Sequence, residues 1–228
     1  MQNPLKIGHR GAKAHVAENT IASIERALEL GVEGVEIDVH QCASGELVVF
    51  HDFTLDRMTN GSGELTQFTL EELKILKVEK HHTIPTLEEV LHIIDKRCFV
   101  NIELKGIHTA KPTILIIEKF VEQEGWNSNL FLISSFQHNE LKIVFDSDPN
   151  IRLGVLTKAS VKEAITYAEK INAYAIHPNV ALLTKANVEH AQSKGFKVMT
   201  WTVNEKTEIE RMKSYGVDGI ISDNPDLI

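Results

Sequence analysis

Short apolar segments alternate with longer amphipathic ones along nearly the whole chain, and this alternation limits the possible folds more than any other feature. Leu5–Gly8 and Val35–Val39 are the first strand-like segments, and helical spacing of apolar residues predicts a helix over Thr20–Leu30 between them. Asn19 is the predicted cap of that helix. The pattern continues to Gly219–Ser222. Because strands that alternate with helices form parallel sheets with crossover connections, the sequence predicts an α/β fold.

The number of strands favours a closed barrel. Further strands are predicted at Phe99–Glu103, Leu130–Ser134, Arg152–Leu156, Ala173–Ile176, Lys197–Trp201 and Gly219–Ser222. With Leu47–Phe50 taken as an extension of the second strand, the chain has eight strand–helix units in 228 residues. This suits a (β/α)8 TIM-type barrel, a fold of roughly 200 residues or more. We therefore predict a single domain over residues 1–228.

The stretch Phe53–Pro85 departs from the regular alternation. It contains the turn-forming run Asn60-Gly61-Ser62-Gly63 and a short helical segment near Leu70–Leu76. We interpret it as a small insertion, about residues 53–85, that follows the extension of the second strand.

Charge and hydropathy narrow the possible partners. The formal net charge of −8 argues against nucleic acid or an anionic membrane surface as the main partner. No apolar run approaches the roughly 18–20 residues that span a bilayer, so we expect no stable membrane insertion. The segment Met1–Lys6 shows no signal-peptide features, and we expect a cytoplasmic protein. The sequence leaves open whether it is a monomer or a homo-oligomer.

Chemically reactive side chains follow or end the predicted strands. They are His9 and Arg10, Glu36 and Asp38, His51, Glu103 and Lys105, and Trp201. In a barrel the carboxyl ends of all strands face one rim, where the active sites of such enzymes lie. We therefore expect these side chains to converge although they are scattered along the sequence.

The residue types at this rim indicate phosphoryl chemistry. Glu36, Asp38 and Glu103 offer hard oxygen ligands, which suit one divalent cation, Mg²⁺ or Ca²⁺. His9 and His51 can exchange protons near neutral pH. The Arg10 guanidinium can bind two phosphate oxygens at once. These groups together predict metal-assisted catalysis on a phosphate ester.

At these residues the sequence resembles the glycerophosphodiester phosphodiesterase family. The similar motifs run in the family's order along nearly the whole chain: His9-Arg10-Gly11, Glu18-Asn19-Thr20, Glu36-Ile37-Asp38-Val39, Val48-Val49-Phe50-His51-Asp52, Leu55-x-Arg57, Asn60-Gly61-x-Gly63, Ile84-Pro85-Thr86-Leu87, Asn101-Ile102-Glu103-Leu104-Lys105, Ser135-Phe136, Trp201-Thr202-Val203-Asn204 and Asp218-Gly219-Ile220-x-x-Asp223-x-Pro225. Any one tripeptide is weak, but the ordered set is highly specific. Departures, such as Ala17 where the family often has proline, remove no predicted ligand.

The resemblance implies a barrel with a small insertion and a role for each rim residue. It implies metal binding by Glu36, Asp38 and Glu103, and an acid–base pair of His9 and His51. It further implies that Arg10 and Lys105 bind the phosphate and that Trp201 is a wall of the substrate pocket. The implied reaction is hydrolysis of a small-molecule glycerophosphodiester to glycerol 3-phosphate and an alcohol.

Two other activities are weighed against this one. A lysophospholipase D-type enzyme would use the same chemistry on lysophospholipids. A metal-dependent barrel aldolase or enolase-like enzyme would also place carboxylates and a metal at the rim, but it has no need of His9-Arg10 together with His51. The sequence does not decide the head group, the metal, which histidine is the acid, or whether water attacks directly or a cyclic phosphate forms first.

Overall fold

The computed structural model describes residues 3–228. Met1 and Gln2 lie outside the described residues. The predictions that include them are the single domain over residues 1–228 and the absence of signal-peptide features in Met1–Lys6. The nine strands of the described part are β1 Leu5–His9, β2 Gly34–Gln41, β3 Leu47–Val49, β4 Phe99–Leu104, β5 Phe131–Ser135, β6 Arg152–Thr157, β7 Ala175–Pro178, β8 Lys197–Thr200 and β9 Gly219–Ser222.

Eight of these strands form a closed parallel barrel. Their order around it is β1, β2, β4, β5, β6, β7, β8, β9, and β9 pairs with β1 to close it. The helices are α1 Ile21–Glu29, α2 Leu70–Ile75, α3 Leu87–Ile94, α4 Ala110–Gln123, α5 His138–Ser147, α6 Val161–Lys170, α7 Lys185–Ser193 and α8 Lys206–Tyr215. The predicted TIM-type (β/α)8 fold is confirmed, whereas the single-domain limits remain a prediction.

Side-chain alternation on the strands divides the core into two layers. Ile37, Val39 and Ile102 point outwards and pack in a large apolar core between strands and helices. A smaller apolar cluster of Ile7, Leu132, Met199 and Ile221 fills the barrel interior. The inward-facing side chains near the carboxyl end of β2 are polar instead. The candidate site lies at that end of the barrel.

The structure corrects two local predictions. Leu47–Phe50 does not extend β2, because β3 turns back and pairs antiparallel with it, Val39 opposite Val49. Thr20, not Asn19, caps α1, since the Thr20 side chain accepts a hydrogen bond from the Ser23 N–H.

The insertion has a small apolar core of its own. Leu55, Leu65, Leu73 and Ile84 are fully buried there and pack near β3. Its short helix α2 begins with a capping box at Thr69. The insertion therefore packs against the barrel beside β3 through this cluster. Within residues 3–228, no helix combines the length and apolar character needed to cross a membrane.

Candidate active site

Three carboxylates come together where β2 and β4 end. Asp38 lies opposite Glu103 in the strand register, and Glu36 precedes Asp38 by two residues on the same strand face. One carboxylate oxygen from each residue lies within 4.8 Å of those of the other two. All three residues are buried. The predicted convergence of Glu36, Asp38 and Glu103 at the rim is thus seen in the structure.

The electrostatics of this cluster suit a cation. Burial, and next the negative charges around it, raise the pKa of Glu36 well above its usual range. Burial and the charge of Asp38 raise the pKa of Glu103 to about 7. Asp38 Oδ1 is buried and has no hydrogen-bond partner among the described residues. Because a divalent cation would relieve the repulsion and bind that oxygen, the donor set fits Mg²⁺ or Ca²⁺.

His9, at the end of β1, is held by a carboxylate from the other end of the chain. Its Nδ1 lies 2.5 Å from Asp223 Oδ1, and Asp223 also accepts a hydrogen bond of 2.8 Å from the Asn204 amide. Arg10 Nε donates to His9 Nε2 at 3.3 Å. These contacts place the ring proton on Nδ1 and direct Nε2 towards the carboxylates. Burial lowers the pKa of His9.

His51 is arranged in the same way. Its Nδ1 lies 2.6 Å from Asp52 Oδ1, and Lys105 Nζ donates to its Nε2 at 3.1 Å. Burial lowers the pKa of His51 as well. The site therefore holds two His–Asp pairs, in each of which Nε2 accepts a hydrogen bond from a cationic side chain. In chemical terms both rings can serve as proton carriers.

The two cations of the site contact its carboxylates. Lys105 Nζ lies 3.0 Å from Glu103 Oε1, and Arg10 Nη1 donates to Glu18 at 2.7 Å. The Arg10 backbone has a φ of 54°, and the next residue, Gly11, has a φ of 85°. A Cβ at Gly11 would lie 2.4 Å from Ser23 Oγ, so the turn that presents Arg10 requires glycine.

A cavity of about 460 Å³ opens beside these groups. Its far wall holds Phe136, Leu156, Lys158, Asn179 and Trp201. Trp201 donates from Nε1 to the His177 carbonyl at 2.7 Å and packs edge-on against Phe136, 5.5 Å between ring centres. The structure thus brings seven predicted residues to one cavity, His9, Arg10, Glu36, His51, Glu103, Lys105 and Trp201. Asp38 lies next to it, in contact with Lys105 and Arg10.

Four charged residues of the site received no role from the sequence. Asp52 and Asp223 bind the histidines, and Glu18 and Arg57 link Arg10 to Asp52. All four stand within the motifs quoted above. A signal was present for Asp52, because a carboxylate directly after a rim histidine can reach its ring. The predicted barrel places Asp223, which directly follows the last strand, at the same rim as His9, but nothing in the sequence pairs these two residues, which are 214 positions apart.

Comparison with known proteins agrees with this geometry. Residues 9–227 match the profile of the Glycerophosphoryl diester phosphodiesterase family. The chain belongs to this family. A glycerophosphodiester phosphodiesterase of Caldanaerobacter subterraneus subsp. tengcongensis is 41% identical over 98% of this chain and 96% of its own length. One from Bacillus altitudinis is 37% identical over 96% of this chain and 94% of its own.

Solved structures extend the likeness to three dimensions. An Oleispira antarctica phosphodiesterase in complex with its product sn-glycerol-3-phosphate matches with a TM-score of 0.90 and 29% identity, over 98% of this chain and 94% of that one. The predicted family, fold and enzyme class, a phosphodiesterase that hydrolyses glycerophosphodiesters, are confirmed. The roles of individual residues, the metal, the compartment and the oligomeric state remain predictions.

Proposed function

We propose that this family member hydrolyses small glycerophosphodiesters to glycerol 3-phosphate and an alcohol, with one Mg²⁺ or Ca²⁺ and two histidines as proton carriers. The observation that carries the proposal is the meeting of three buried carboxylates with two His–Asp pairs at one cavity. The Oleispira relative, which holds sn-glycerol-3-phosphate, supports the product.

Glu36, Asp38 and Glu103 would hold the cation. When bound, it supplies Lewis-acid polarisation of the phosphoryl group and neutralises charge that develops in the transition state. Arg10 and Lys105 add positive charge on the same side of the cavity, where they bind the phosphate oxygens. The planar guanidinium of Arg10 can grip two oxygens, while Lys105 acts as a point charge.

His9 and His51 exchange protons through Nε2. One takes a proton from the attacking hydroxyl or water, and the other gives one to the leaving oxygen. Asp223 and Asp52 fix the proton of each ring on Nδ1, which keeps each Nε2 directed into the site. Trp201 is a wall of the pocket on the opposite side.

The pocket favours a water-soluble substrate over a lysophospholipid. Its walls beside the catalytic groups are polar and charged, with an aromatic pair at the far side. The insertion buries Leu55, Leu65 and Leu73 in an apolar cluster and leaves Phe53 and Ile75 exposed, and none of its residues lines the cavity. The substrate class is therefore a small diester such as glycerophosphocholine or glycerophosphoglycerol.

Product analysis tests this assignment. Purified protein with Mg²⁺ or Ca²⁺ is expected to release glycerol 3-phosphate from glycerophosphocholine. It is also expected to act more slowly, in kcat/KM, on lysophosphatidylcholine below its micelle threshold. A clear preference for the lysolipid would favour the lysophospholipase D-type alternative. Release of glycerol or of free phosphate as the first product would contradict the reaction itself.

A further inference from the structure

Lys158 lies across the mouth of the barrel from the catalytic groups. It follows β6, which is four strands from β1 in either direction around the closed barrel, whereas His9 ends β1. Both residues nevertheless line the same cavity. A phosphodiester with its phosphate at Arg10 and Lys105 has two ester arms, and the wall that holds Lys158 lies within the cavity that an arm can enter.

The positive charge of Lys158 is available to a ligand. The residue is exposed, and no carboxylate within residues 3–228 lies within 4.0 Å of its Nζ. The Nζ stands over the Phe136 ring, 5.8 Å from its centre, and Phe136 packs edge-on against Trp201. The positively charged Lys158 side chain thus already faces the aromatic wall of the cavity. A quaternary ammonium bound on that wall would meet a like charge.

We infer that Lys158 selects the head group, favouring diesters whose alcohol carries an anionic group over those whose alcohol is cationic. This inference rests on the proposed function. We assign the ester arm that contacts Lys158 to the head group rather than to glycerol. Glycerol is neutral and offers no opposite charge to this lysine. A carboxylate on the head group would be bound there by a charge-assisted hydrogen bond.

Two substrates that differ by one carboxylate provide the test. The head groups of glycerophosphoserine and glycerophosphoethanolamine have the same 2-aminoethanol skeleton, and only the serine head group carries a carboxylate on it. We expect the wild type to prefer glycerophosphoserine in kcat/KM. The Lys158→Met variant keeps the length of the stem and removes the charge, so the ratio of the two kcat/KM values should fall about tenfold, as loss of a near-surface charge contact predicts. Lys158→Arg should retain most of the preference.

Two controls separate this effect from a general charge change. Lys162→Met removes another exposed lysine, on α6, that does not line the cavity, and should leave the ratio unchanged. Raising the salt concentration should reduce the wild-type preference and leave Lys158→Met insensitive.

The outcomes are distinguishable. An unchanged ratio in Lys158→Met overturns the inference while the proposed function stands. An equal loss on every diester, whatever its head group, also overturns it, because it places the glycerol arm at Lys158. If the wild type hydrolyses neither substrate, the proposed function itself fails.

Discussion

Arg57 of the insertion donates two hydrogen bonds to Asp52, from Nε to Oδ2 at 2.5 Å and from Nη2 to Oδ1 at 3.0 Å. The bond from Arg57 is the first cause that lowers the pKa of Asp52 to about 2, so this carboxylate stays ionised beside His51. The same guanidinium reaches Glu18 at 2.6 Å, and Glu18 accepts a hydrogen bond from Arg10. The insertion is therefore linked through Asp52 to His51, the proposed proton carrier, and through Glu18 to Arg10, the proposed phosphate-binding residue.

This link predicts non-additive losses at Asp52 and Arg57. Asp52→Asn should lower kcat by about 10- to 100-fold, because His51 loses the partner that fixes its Nδ1 proton. Arg57→Gln should cost less, and the double variant no more than Asp52→Asn alone, since both act through His51. Steady-state kinetics of the four proteins form the cycle, with Arg211→Gln as the control, because this half-buried arginine lies on α8 and does not line the cavity. Fully additive losses would mean that Arg57 acts through Glu18 and Arg10 instead.

The pairing of Asp223 with His9 makes a second prediction. In Asp223→Asn the amide can donate to Nδ1, which moves the ring proton to Nε2 and removes the acceptor. We expect kcat to fall by about 10²–10⁴-fold with KM nearly unchanged. Asp226→Asn is a matched control, because the Asp226 side chain pairs with the exposed His15 at 2.8 Å and, among residues 3–228, hydrogen-bonds to no other side chain. Equal activity of the two variants would show that His9 needs no fixed tautomer.

The histidines themselves are expected to be essential for turnover and dispensable for folding. His9→Ala and His51→Ala should each reduce kcat by ~10²–10⁴-fold, as loss of a positioned acid or base does. His81→Ala, an exposed histidine of the insertion, is the control. Circular dichroism and thermal unfolding should show all three variants folded. Near wild-type turnover in either rim variant removes that residue from the acid–base pair.

His177 predicts how stability changes with pH. It is fully buried, and neither ring nitrogen has a hydrogen-bond partner among the described residues; burial lowers its pKa to about 3. In the unfolded chain a histidine takes up a proton near pH 6.5, whereas His177 in the folded chain stays neutral. Its contribution to the free energy of unfolding is therefore fully present above that pH and is lost as the pH falls below it.

Lowering the pH from 7.5 to 5.5 should therefore cost the wild type about 1.4 kcal/mol of unfolding free energy through this residue alone. His177→Leu should lack that part of the loss. Urea unfolding of both proteins at the two pH values measures the difference. If the two proteins lose the same free energy of unfolding, His177 is protonated within the folded barrel.

The residues that meet at the rim could be predicted from the sequence, because their position follows from the direction of the strands that carry them. Once the strands are taken as parallel, Glu36, Asp38 and Glu103 must share one end of the barrel, and the structure places them there. The contact of His9 with Asp223 depends on closure, in which β9 comes to lie beside β1. The predicted barrel implies that closure, but the sequence does not show which of the polar residues at the ends of β8 and β9 binds the His9 ring.

Two local errors have equally physical reasons. Asn19 and Thr20 are both good capping residues, and the choice between them is made in three dimensions: the Asn19 amide is engaged by Asp38 at 2.9 Å, which leaves Thr20 to cap the helix. Leu47–Phe50 has the composition of a strand in either direction. Only its pairing with the end of β2 shows that it turns back.

Calcium or magnesium titration by calorimetry, run beside an assay of glycerol 3-phosphate release, tests the central claim most directly. After chelator treatment the wild type should lose activity and regain it with the cation. Glu103→Gln should bind the cation at least tenfold more weakly, and the exposed control Glu189→Gln should bind it normally. Full turnover of glycerophosphocholine in excess chelator, or unchanged cation affinity in Glu103→Gln, would contradict a metal held by Glu36, Asp38 and Glu103.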